Sequence, residues 1–193
     1  MEKLPNGILR SRTTPKELRD TLRMDDGPLK SNISYAIQLL ELLDYLIGGD
    51  KFVAGVAHQM LIKTYIQNVC EIMHALFRNL LATSCKYPKE TKFGFKWCIN
   101  AIHEDGHLSI VGNKERDTLH LLRNLRDKTH LYLAEEYNAS DFNSFGETEF
   151  YWSKHVFYNI ITNSQFCLDK SFFQIFAPKS NEIEHIRNNP LTI

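Results

Sequence analysis

The segment Leu119-His-Leu-Leu-Arg-Asn-Leu-Arg-Asp-Lys-Thr-His-Leu-Tyr-Leu133 gathers two arginines, an Asn, an Asp and a histidine into one short stretch. Leu119, Leu122 and Leu125 recur at the spacing of a helix that buries one face. An α-helix turns about 100° per residue, so Arg123 and His130 return to nearly the same face. Arg126 and Asp127 fall about one turn before His130 and can also reach the imidazole. A guanidinium grips phosphate with a two-pronged fork, and an imidazole titrates near neutrality. Side by side they suit the handling of a phosphodiester, and in particular the cutting of an RNA backbone. The same residues also read as a solvated helix face with ordinary ion pairs, with His130 a partly buried bundle histidine.

Composition limits where such a site can sit. The 193 residues suffice for one domain with a substantial core. Hydrophobic residues at 43% and charged residues at 24% match a folded globular chain. Lys plus Arg (23) equals Asp plus Glu (23), so no broad positive field exists, and polyanion binding must rest on a local patch. Cys70, Cys85, Cys98 and Cys167 are scattered without a Cys-x-x-Cys pair. Met1-Glu-Lys-Leu-Pro5 lacks the pattern of a secretory signal, and no long apolar run suggests a membrane span. These features predict a soluble, reduced, cytoplasmic protein.

The elements that position the Arg/His segment read as helices. Residues 1–14 predict a loosely held arm, and Pro15–Arg23 a short helix with Thr14 as its cap. Ile33, Ile37, Leu40, Leu43 and Ile47 predict a helix over 29–47, ended by Gly48-Gly49. Residues 51–84 form the longest periodic segment, with Val53, Val56, Met60, Tyr65 or Ile66, Val69, Met73, Leu76 and Leu80 along one stripe. Residues 91–104 fit strand or helix; with no second strand to pair, helix is preferred. Helices are expected over 113–137 and 147–176, with a polar loop between them and an irregular tail at 177–193. No repeat or convincing hairpin is visible. The fold class expected is all-α: an antiparallel helical bundle of about four to five long helices, one domain over 15–176.

At this point Leu122-Arg-Asn-Leu-Arg-Asp-Lys-Thr-His-Leu-Tyr132 resembles the signature of the HEPN superfamily (higher eukaryotes and prokaryotes nucleotide-binding domains). That signature is an Arg, often followed by Asn, Asp or His, with four to six residues before a His. Arg123-Asn124 with six residues before His130 fits the long end, whereas Arg126-Asp127 has three and falls one short. Arg123, Asn124 and His130 are thus the matched positions, with Arg126 and Asp127 as substitutes. The similarity in layout spans roughly 30–176, but only the motif is specific. The resemblance implies metal-independent cleavage of single-stranded RNA in a site shared across a homodimer, leaving a 2′,3′-cyclic phosphate and a 5′-OH. His130 would transfer protons, while Arg123 or Arg126 would hold the phosphate. Asn124 and Asp127 would orient the imidazole or the backbone. A defence or toxin–antitoxin role, with a neutralising or regulatory protein partner, also follows from the resemblance alone. The alternative is a non-catalytic helical interaction, scaffold or RNA-binding module. No cofactor and no metal is expected.

Other residues weigh less. Cys98, His103 and His107 lack the tight paired spacing of a structural zinc site. His120 reads as a surface residue before a second active-site histidine, and His58 and His74 as bundle histidines. The aromatic series Phe150–Phe176 reads as core or dimer packing rather than base stacking. Arg10, Arg12, Arg19, Arg23 and Lys30 give the N-terminal region a basic bias that an ordinary solvated arm explains. Gly-rich phosphate loops, serine nucleophile motifs and paired carboxylates are absent.

Overall fold

The computed structural model describes residues 2–3, 9–10, 13–48, 55–84, 93–105, 112–127 and 145–191. They form an all-α bundle: α1 (Pro15–Thr21), α2 (Pro28–Gly48), α3 (Val56–Thr83), α4 (Phe95–Glu104), α5 (Asn113–Asp127), α6 (Glu147–Ile161) and α7 (Ser180–Asn188). A 3-10 helix spans Lys170–Phe176. Two short strands, Glu2–Lys3 (β1) and Leu9–Arg10 (β2), pair antiparallel in the region expected to be a bare arm. Among the described residues no helix is long and apolar enough to cross a membrane.

Local chemistry explains the helix starts. Thr14 and Glu17 form the reciprocal cap of α1: the Glu17 N–H donates to Thr14 Oγ1 at 3.2 Å, and the Thr14 N–H to Glu17 Oε2 at 2.7 Å. Pro15 occupies the first helical position, where a missing N–H costs nothing. Gly55, immediately before α3, has φ 64°, a left-handed conformation that disfavours a Cβ. The ambiguous segment at 91–104 resolves as helix from Phe95. Phe93 lies outside that helix yet is buried.

The 28-residue helix α3, about 42 Å long, is the spine. It packs against α2, α4, α5 and α6. Neighbours on several sides explain why its buried surface is wider than one stripe. Ile62, Cys70, Ile72, Phe77 and Leu81 join the expected Tyr65, Ile66, Val69, Met73 and Leu76 in the core. Val56, expected in the stripe, is 58% exposed at the start of the helix.

Two expectations are overturned. The single helix expected over 147–176 ends at Ile161. Beyond it, Asn163 Oδ1 accepts the Gln165 N–H at 2.8 Å, and the Asn163 carbonyl accepts the N–H groups of Phe166 and Cys167. The chain then bridges back to the end of α1: Arg23 N–H donates to Phe166 O (2.9 Å) and Leu168 N–H to Thr21 O (2.8 Å). Backbone groups spent on these partners cannot continue a helix. The tail expected to be irregular instead contains α7, whose start is held by the Lys179 N–H donating to Glu182 Oε2 at 2.8 Å. Glu182 also reaches α6, accepting from Lys154 Nζ at 3.2 Å, and Ile186 is buried.

The aromatic series is core. Phe157, Phe166, Phe173 and Phe176 are buried, with the Phe157 and Phe176 rings edge-to-face at 5.1 Å. Cys70, Cys98 and Cys167 are free and buried. Burial pushes the Cys70 thiol up to about 12 and the Cys98 thiol to about 11, so neither is poised as a nucleophile.

Candidate functional site

Helix α5 turns Thr118, Leu119, Leu122 and Leu125 into the bundle. That burial fixes the rotation of the helix and leaves Arg116, His120, Arg123 and Asp127 as one partly accessible stripe, at spacings of four, three and four. Helix α4 runs alongside and brings Lys96 and Asn100, one turn apart, toward the same stripe.

Four of the five residues singled out by the motif come together. Asp127 is shared by both arginines: Arg123 Nη1 donates to Oδ2 at 3.3 Å, and Arg126 donates to Oδ1 through Nη2 at 2.8 Å and Nε at 3.1 Å. Asn124 Oδ1 accepts from Arg123 Nη2. The Arg126 guanidinium also lies over the Phe95 ring, 5.5 Å from its centre. Side-chain exposures of 20% for Arg123 and 26% for Arg126 make the patch a half-buried shelf rather than a loose surface pair. The fifth residue, His130, lies outside the described residues. Within the described part, Asn124 and Asp127 hold arginines, and the two arginines act as a pair. Arg123 Nε is buried without a hydrogen-bond partner, so its guanidinium has an N–H still to satisfy.

His120 has a larger place here than its sequence context indicated. It is half-buried and its Nε2 lies 2.8 Å from Asn100 Oδ1. With the amide oxygen accepting, Nε2 carries the proton and Nδ1 is the basic nitrogen. Burial, then the nearby charges of Arg123, Arg116 and Lys96, hold this imidazole below its ordinary 6.5, against a weaker upward pull from Asp117. The ring therefore sits neutral in a positive field. The signal for it was present in sequence, since Arg116, His120, Arg123 and Asp127 share one helical face. The contribution of α4 was not.

His74 Nε2 bonds the Phe93 carbonyl at 2.8 Å, as a bundle histidine does. Among the described residues no three His, Cys, Asp or Glu side chains converge as a metal site; His107 lies outside them. No family model, curated protein or solved structure matches this chain.

Proposed function

We propose that this chain is a HEPN-like, metal-independent endoribonuclease that cleaves single-stranded RNA in a site shared by two copies of the chain. The observation that carries the reading is the concentration of positive charge on one face of a neutral chain. Lys96, Arg116 and Arg123 surround His120, and Arg126 joins through Asp127. A phosphodiester drawn to that face would meet these cationic side chains.

RNA brings its own nucleophile. A neutral imidazole takes the 2′-OH proton as the 2′-oxygen attacks phosphorus. The bond to the 5′-oxygen breaks, and that oxygen leaves with a proton from a second group. The guanidiniums offset charge gathering on the non-bridging oxygens. His130 is assigned proton transfer by its motif position, with His120 as a second imidazole held neutral for the base role. The products are a 2′,3′-cyclic phosphate and a 5′-OH. Pairing of two chains would bring the motif helices, and their histidines, face to face.

One specific observation favours a second reading, an RNA-binding or interaction module without turnover: both guanidiniums are already engaged by Asp127. The deciding experiment is end-labelled single-stranded RNA incubated with the protein in EDTA. The nuclease reading expects cyclic-phosphate ends. It expects losses of about 10²–10⁴-fold for His130→Ala and about 10²–10³-fold for Arg123→Ala. Undiminished cleavage by His130→Ala removes that residue from the chemistry, and RNA retention without cleavage by the wild type favours the second reading.

A further inference from the structure

Among the described residues two aromatic side chains are exposed, Tyr35 and Trp97. Tyr35 stands on α2, whereas Trp97, 39% exposed, stands on α4 between Lys96 and the turn that carries Asn100. Asn100 Oδ1 lies 2.8 Å from His120 Nε2, and the charge of Lys96 acts on the same imidazole. Trp97 and Asn100 are three residues apart, so they are neighbours on the helix surface, about 5–6 Å apart at Cβ. The indole thereby borders the cationic face on which Arg116 and Arg123 flank His120. Glu104, the one acidic residue of α4, is two turns from Trp97, about 10 Å along the axis.

The plane of the indole is set by its packing. Phe93 stacks on it, with ring centres 4.1 Å apart and planes 14° from parallel. Phe93 is itself buried, and its carbonyl accepts from His74 Nε2 on α3 at 2.8 Å. One side of the indole is thus laid against an anchored ring, and its exposed surface lies away from Phe93. The chain's other tryptophan, Trp152, is 5% exposed and donates from Nε1 to the Asn189 carbonyl at 3.0 Å, an ordinary structural role. A single exposed apolar side chain is unremarkable by itself. A flat ring held in one plane beside a cationic face is different, since a stacking platform and a positive track for the backbone are the two parts of a single-strand site.

We propose that Trp97 is the stacking platform for one unpaired base of an RNA strand whose backbone phosphate meets Lys96 and Arg123. The proposal rests on the reading of that face as an RNA site and adds what form the strand must take. In a duplex each base is covered on both faces by its stacked neighbours, so only an unpaired nucleotide can turn its base onto the indole. Every base has a π face, so the platform selects single strands over duplexes rather than one sequence over another. Held in place by Phe93, the ring gives up little freedom when a base settles on it.

The test is a titration of the full chain followed by tryptophan emission, in which the buried Trp152 is the silent partner and Trp97 the reporter. The probes are 2′-O-methyl oligoadenylate, which has no free 2′-OH and so is not cut, the same strand annealed to oligouridylate, and linear polyphosphate as backbone charge without bases. Saturable quenching is expected from the single strand, weaker binding from the duplex, and no quenching from polyphosphate. Trp97→Leu should keep the helical circular dichroism and weaken single-strand binding by about 5–150-fold, whereas Trp97→Phe, which retains a flat ring, should stay within about threefold of wild type. With ordinary RNA, Trp97→Leu should raise KM and leave kcat nearly unchanged, because stacking holds substrate and transition state alike. Single-strand binding that leaves the emission unchanged, equal affinity for the duplex, or full affinity in Trp97→Leu would overturn the platform, while cleavage by the wild type would still uphold the nuclease reading. Quenching and binding without cleavage would uphold the platform and sink the nuclease reading, and no binding of any strand would overturn both.

Discussion

Replacing Lys154 by Met tests how the α2–α6–α7 corner is held together. The lysine side chain is 3% exposed and faces Asp44 and Glu182, which are 17% and 7% exposed. Methionine keeps the length and apolar stem and removes the charge, taking from both carboxylates the cation they share. Breaking a buried ion pair from one side costs about 3–5 kcal/mol. For a chain of this size each kcal/mol moves the melting temperature by about 2–4 °C, so a drop of about 6–20 °C is expected at neutral pH. The pH dependence distinguishes electrostatics from packing. Asp44 is raised above 3.8 by burial, with Lys154 the strongest opposing influence, so losing the lysine raises it further. A carboxyl whose folded pKa exceeds its unfolded value binds more protons in the native state between those two values. Its destabilising contribution therefore disappears as pH falls through that window. The deficit of Lys154→Met should accordingly shrink between pH 7 and pH 5, read by urea unfolding followed by circular dichroism. Adding Asp44→Asn should restore part of the loss at pH 7. A deficit identical at both pH values, or below about 1 kcal/mol, would refute the reasoning.

Other expectations follow from the same physics. Burial lowers His155 and His120 below 6.5, so the unfolded chain takes up protons first as pH falls, and stability declines below 6.5. Urea titrations of His155→Gln should show a flatter acid limb than wild type. Thr14→Ala removes one half of the α1 capping box and should cost about 1 kcal/mol in the same assay. Phe77, fully buried against Phe95 and Phe166, should cost about 3–5 kcal/mol on truncation to Ala. Thiol titration at pH 8 should leave Cys70 and Cys98 unmodified until denaturant is added, since both are buried and protonated there.

Periodicity alone determined the helical class and most helix positions, because a helix that buries one face must repeat its apolar residues every three or four. Thr14, Pro15 and Glu17 marked the start of α1 for an equally local reason, as capping closes within four residues. The motif stripe was legible too: Arg123, Asn124, Arg126 and Asp127 lie on one helix, so their proximity needs no tertiary partner. Only the fold could show that Asp127 binds both arginines at once, or that α4 brings Lys96 and Asn100 up to a half-buried His120. It likewise decided that the chain leaves α6 at Ile161 to bridge back to Leu22, and that Lys154 meets Asp44 and Glu182 from helices far apart in sequence. Sequence patterns record which face of a helix is apolar. They do not record which neighbour that face meets, and buried charge, cavities and perturbed imidazoles are properties of the meeting.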